Sequence, residues 1–303
     1  MESQKLRLLL VLGVFGVTSS SFIIVQADKE PYSIAFVRVF LTGMISYFLL
    51  FPRTKSENPV EIPIKDRYKI FFSGFCLATH FGWWFASLDY IQIGISLALT
   101  NTAPVWVTLI LFLLYHRVPK FKQVLAILLV IFGSLLLLSQ NHDINSGGTI
   151  GIILALGSAI GLAIYLLTAH SLLDKYGLWR YFGLVNLSAA FCLFMFNITR
   201  GHIGDLFDTQ IWFWGLLLAL LPGISGHAVF NFLMSKLDPI DVSVATLGEP
   251  ILGAIFAYLI YDQKLSLLET ASMLCLISAI GFTLDRSAPP ESILKSTDVE
   301  PFL

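Results

Sequence analysis

Charge is what this chain is short of. Lys, Arg, Asp and Glu make up 13% of its residues while 56% are hydrophobic, against about 25% and about 45–50% in an ordinary soluble protein. A 303-residue globule so poor in charge could not cover itself with solvated side chains, which excludes the soluble classes. The clustered basic residues that a nucleic-acid partner requires are also missing. Cysteine is scarce: Cys76, Cys192 and Cys275 lie far apart inside apolar runs, so neither a disulfide framework nor a thiolate metal site is expected. The histidines at 80, 116, 142, 170, 202 and 227 include no pair four apart on one helix, and no glycine-rich phosphate loop exists. No metal, no cofactor and no enzymatic activity are therefore expected, although a membrane-embedded serine or acidic pair leaves an intramembrane enzyme as the alternative of another class. Long polar stretches are lacking too, so no extramembrane domain of the kind a receptor would carry is expected.

What the chain has instead is apolar runs. A bilayer core of about 30 Å needs roughly 20 apolar residues per helix. Reading runs between polar breaks gives ten transmembrane segments, at 5–26, 32–51, 68–88, 92–115, 119–139, 148–170, 178–197, 211–235, 242–261 and 265–284. The fold class is an all-α, multi-pass integral membrane protein. With the N-terminus in the cytoplasm, the basic residues fall inside, except Lys29, Arg200 and Lys264 outside and Arg38 within the second segment. That asymmetry favours an even number of crossings and both termini cytoplasmic, in a cytoplasmic (inner) cell membrane. Lys5, Arg7, the run 8–17 and Val25-Gln26-Ala27 imitate a cleavable leader. Retention of the first segment is expected, because its loss breaks the repeat described next. The segment 287–303 holds Pro289, Pro290 and several charges and is expected to be a disordered cytoplasmic tail.

Leu88-Asp89 is followed by a segment with Pro104 and Tyr115, and Leu237-Asp238 by one with Pro250 and Tyr261, each proline preceding its tyrosine by 11 residues. The match aligns the fourth segment with the ninth and divides the chain into halves at 1–145 and 146–286. Five segments is an odd number, so the halves face opposite ways, the arrangement that underlies alternating access. Each proline should release the carbonyl four residues back, on Thr100 and on Thr246, near mid-membrane.

Pro31 with Arg38, the run Ala86-Ser87-Leu88-Asp89-Tyr90, the run from Gly94 to Thr100 with Pro104, and Leu247-Gly248-Glu249-Pro250 resemble the EamA-type branch of the drug/metabolite transporter superfamily. The resemblance implies ten helices in two inverted halves. It also implies a central cavity lined by the first, third, fourth, sixth, eighth and ninth segments, and export or exchange of amino acids and other small metabolites. The chain departs from the pattern at Tyr115-His116-Arg117 and Tyr261-Asp262-Gln263-Lys264, where an acidic Gly-Glu-Arg-like turn is usual.

Polar residues at membrane depth are costly and point to function. Glu249, directly before Pro250, is the candidate coupling residue, able to bind and release a proton during transport. His80 and Trp84 share a helix face with Trp83 beside them, and His227 and Asn231 repeat the spacing on the partner segment. Two such faces would give a solute both hydrogen bonds and π surface. Ser19, Ser20, Thr100, Asn101 and Tyr165 complete the candidate set. Arg38, about 10 Å below the end of its helix, is expected to snorkel to the headgroups as an anchor. Gly13 with Gly16 and Gly157 with Gly161 fit close helix approach in the first helix of each half. With Arg38 the sole deep basic residue, a neutral, zwitterionic or cationic solute is favoured. The alternative is a facilitator or antiporter of an organic anion such as a sugar phosphate or nucleotide conjugate. The expected partners are the small-molecule solute, the lipid bilayer and a candidate proton, with the chain a monomer or homodimer.

Overall fold

The computed structural model describes residues 2–51, 61–139, 148–261 and 266–283, and all regular structure among them is helical. The C-terminal tail and the turn Asp262-Gln263-Lys264 lie outside the described residues.

Helix occupies all ten expected segments. These are α1 (Glu2–Ala27), α2 (Pro31–Met44, continuing as a π-helical turn Ile45–Leu50), α3 (Ile64–Ser87), α4 (Ile93–Thr100) with α5 (Ala103–Tyr115), α6 (Phe121–Leu138), α7 (Gly148–Tyr176), α8 (Leu178–Arg200), α9 (Thr209–Leu218) with α10 (Ala228–Met234), α11 (Pro239–Ala245) with α12 (Gly248–Tyr261), and α13 (Leu267–Thr283). Eight of these segments are long and apolar enough to cross a membrane, and Leu267–Thr283 is a shorter apolar helix. α3 is not among the eight: besides the charges at its start, His80, Trp83, Trp84, Thr79 and its small residues lower the hydropathy of its membrane-length run.

Burial departs from that of a soluble protein: the core is still mainly apolar, but large apolar side chains are also exposed and many polar ones are buried. Leu8, Leu12, Phe15, Phe72, Phe75 and Leu113 are exposed, whereas Thr18, Ser33, Arg38, Ser73, Asn186 and Asn231 are buried. Lipid is a good solvent for the first group, and the second must find partners inside the bundle.

Helix packing obeys a simple rule. α1 packs on the α9–α10 segment and α7 on α3; α2 packs on α8, α6 on α13, and α4 and α5 on α12 and α11. Exchanging each segment for the one five places away maps this set of pairings onto itself, as a two-fold relation between the halves requires. Glycines set the closest of these approaches. A Cβ on Gly16 would lie 2.8 Å from the Gly226 nitrogen, and one on Gly161 2.7 Å from the Cys76 carbonyl oxygen. The two contacts are exchanged by the same mapping.

Three segments are interrupted. α4 stops at Thr100 and α5 restarts at Ala103, with Pro104 in its first turn. α11 stops at Ala245 and α12 restarts at Gly248, just ahead of Pro250. The prolines therefore do not sit inside continuous helices and release a carbonyl one turn back, as expected; they open new helices, where a missing N–H costs nothing and φ is already set. The Thr246 carbonyl is correspondingly not free, because the chain tightens and the Glu249 N–H donates to it at 2.9 Å. Threonine hydroxyls satisfy other carbonyls at the breaks, Thr102 donating to Leu99 at 2.6 Å and Thr246 to Ser243 at 2.7 Å. The third interruption, a π-helical stretch Ala219–His227 containing Pro222, was not foreseen. Pro222 cannot supply an N–H, and the turn widens around it.

Candidate functional site

A pocket lies where the two broken segments meet the π-helical stretch. It is lined by Val17 and Ser20 from α1, His80 and Trp84 from α3, Thr100 and Asn101 at the first break, Leu162 and Leu166 from α7, His227 and Phe230, and Thr246 and Glu249 at the second break. These are the six segments that the family resemblance implied. About 20 Å³ is open to the centres of water molecules, room for a water or so, so the walls are nearly closed on one another.

The local chemistry is fixed residue by residue. The Ser158 hydroxyl donates to the His80 carbonyl at 2.9 Å, while Nδ1 of His80 lies 2.9 Å from Ser158 Oγ and 3.2 Å from the Ser158 carbonyl. With the hydroxyl proton already given away and the carbonyl able only to accept, Nδ1 must carry the N–H and Nε2 the lone pair. The His80 ring stacks on Trp84 with centroids 6.1 Å apart and lies 6.0 Å from the ring of His227. Asn101 donates to the Leu97 carbonyl at 2.9 Å and also faces the Glu249 carboxylate.

Several buried polar atoms in this region have no hydrogen-bond partner among the described residues: Trp84 Nε1, Thr100 Oγ1, Glu249 Oε1, Asn231 Oδ1 and Arg38 Nη2. A desolvated, unpaired donor or acceptor costs about 1–3 kcal/mol. Five within one zone make it a strong candidate for a place where something polar is received.

Of the residues singled out from sequence, His80, Trp84, Thr100, Asn101, His227 and Glu249 converge on the pocket. Tyr165 and Asn231 stand behind it, the Asn231 amide donating to the tyrosine hydroxyl and, at 2.7 Å, to the His227 carbonyl. Ser19 does not line it; its hydroxyl turns back to the Gly16 carbonyl at 2.7 Å, and Ser20 takes its place. Trp83 points away, 37% exposed, with its ring against Gly157.

Arg38 overturns its expected role. It does not snorkel: it is 1% exposed, Nη1 donates to Ser20 Oγ at 2.8 Å, and the guanidinium carbon lies 3.8 Å from the centre of the Phe81 ring. α2 is enclosed between α3, α8 and the α9–α10 segment, so the side chain has no route to a headgroup. Arg38 fills a closed slot beside the pocket, and His227 forms part of the wall of both.

At the periphery, Glu30, His202 and Asp205 bring ligand-type atoms within 4.8 Å of one another. All three are half-buried. Glu30 is already committed to capping Ser33 and His202 to Asp205 at 3.0 Å. Nearby, Lys29 donates to Asp208 at 2.8 Å and holds that carboxyl below its usual range.

Apolar helices facing lipid around an internal pocket that carries polar side chains define a multi-pass membrane protein with an internal site. The chain belongs to the EamA-like transporter family, whose pattern matches it twice, over residues 5–139 and 149–284. It is thus a membrane transporter of the drug/metabolite superfamily built from two family repeats. A crystal structure 13% identical in sequence superposes with a TM-score of 0.70, covering 92% of this chain and 96% of the other, and shows that the fold is shared. No curated protein matches the chain in sequence.

Proposed function

We propose that this protein is a secondary transporter, an exporter or exchanger, that moves a small polar metabolite such as an amino acid by alternating access around the pocket between its two halves. The halves are mounted in opposite orientation across ten crossings of the cell membrane, with both chain ends cytoplasmic. The observation that carries the reading is the convergence of two helix breaks, at Asn101–Thr102 and Thr246–Leu247, on one pocket whose polar atoms include ones without partners among the described residues. Interrupted spans at corresponding positions of two repeats are where solute sites form. The near-closure of the pocket supports an occluded state that must open to one side to admit a solute.

Protons are the candidate coupling ion, through Glu249. The organic-anion alternative draws support from the burial of Arg38. A phosphate dianion would want several cations, however, and Glu249 stands opposite Arg38, the only buried Lys or Arg among the described residues. Counterflow in proteoliposomes tests the reading: unlabelled solute inside should drive accumulation of the labelled solute. Chemical conversion of the solute without exchange would indicate an enzyme instead.

A further inference from the structure

A guanidinium buried at membrane depth has to be compensated, because taking it out of water costs several kcal/mol. Arg38 is compensated poorly. Serine supplies one neutral acceptor for Nη1, the Phe81 ring supplies a cation–π contact, and Nη2 has no hydrogen-bond partner among the described residues. Among the described residues no carboxylate lies within ion-pair distance of it; Glu249 acts on it only from farther away. Polar neighbours in the slot are already engaged, Thr42 donating to the Arg38 carbonyl at 2.8 Å and Asn186 to the Phe182 carbonyl at 2.8 Å. The slot has no space for water, and it is separated from the main pocket by His227 and by the Ser20 that Nη1 holds. Across the pocket, Glu249 Oε1 is equally without a partner. An unmet anionic acceptor thus lines the small cavity directly, and an unmet cationic donor lies behind its opposite wall of His227 and Ser20.

Resting on the transport reading of that cavity, we propose that Arg38 is the carboxylate-binding residue of the solute site. The solute carries a free carboxylate that displaces Ser20 from the guanidinium, and a cationic amine that faces Glu249. The planar fork of arginine fits a carboxylate by two parallel N–H···O bonds, which a lone serine oxygen cannot reproduce. His227 and Ser20 are then the partition that moves aside when solute enters.

The test compares acids with their decarboxylated amines: phenylalanine with phenethylamine, tyrosine with tyramine, histidine with histamine and lysine with cadaverine. Thermal stabilisation of the full-length protein in detergent reads binding. At least one acid should bind, with its amine about ten- to a hundredfold weaker, and Arg38→Gln should bring the two level. Amines binding as well as acids, or no acid binding at all, overturns the assignment. The ligand series on the native chain decides the matter even where Arg38→Gln does not fold. Counterflow of the same compounds separates the two claims. Exchange that ignores the carboxylate sinks the role of Arg38 and leaves a carrier, whereas binding without exchange of any compound removes the carrier.

Discussion

Replacing Gly161 by alanine isolates the contact that positions the pocket wall. The added Cβ would sit 2.7 Å from the Cys76 carbonyl oxygen and 3.2 Å from the His80 nitrogen. A carbon normally stays about 3.3 Å or more from a carbonyl oxygen, so α3 and α7 must part by roughly 0.6 Å. The obstacle is backbone, which cannot swing aside as a side chain end can. Overpacking of this kind costs about 1–3 kcal/mol, and each kcal/mol lowers Tm by about 2–4 °C in large domains, so a fall of several degrees is expected. Gly281→Ala is the control: it is exposed and an added Cβ meets nothing within 4 Å, so removing a flexible glycine from a helix should stabilise by about 0.5–1 kcal/mol. Tryptophan fluorescence during thermal unfolding in detergent measures both. If the two variants shift Tm in the same direction, the close approach of α3 and α7 is wrong.

Other expectations follow from the pocket. Trp84→Phe removes a buried N–H that has no partner and should leave Tm unchanged or raise it by an amount corresponding to about 1 kcal/mol, while weakening solute affinity in a binding titration. Ser158→Ala deletes both ends of its exchange with His80; a fall in stability of about 1–3 kcal/mol and slower exchange should show in unfolding and counterflow. Glu249→Gln should abolish the pH dependence of uptake while membrane insertion and Tm stay intact; pH dependence that persists in this variant removes the coupling role.

The segments were legible because lipid demands long apolar runs, and only loop and helix-end residues interrupt them. Both helix breaks were legible as well, since Pro104 and Pro250 stand at matching places, although proline alone does not say whether it kinks a helix or opens one. Helix faces were harder to read. Ser19, Ser20 and Ser21 are consecutive, each about 100° around the helix from the last, and in a segment apolar on every side nothing in the sequence tells which one faces inward. The same ambiguity attached to Trp83 and Trp84. Arg38 was misplaced because distance from the helix end measures depth and not enclosure; its partners Ser20 and Phe81 come from other helices. Pro222 was visible in the sequence, but its lack of a counterpart in the first half removed the signal that singled out the other two prolines.

The central claim, that the pocket opens to each side of the membrane in turn, is tested most directly by solvent access to its wall. Thr100→Cys, placed in a chain whose Cys76, Cys192 and Cys275 have been replaced, should react with a membrane-impermeant thiol reagent applied from either side. Reaction from one side only, or from neither, would contradict the account.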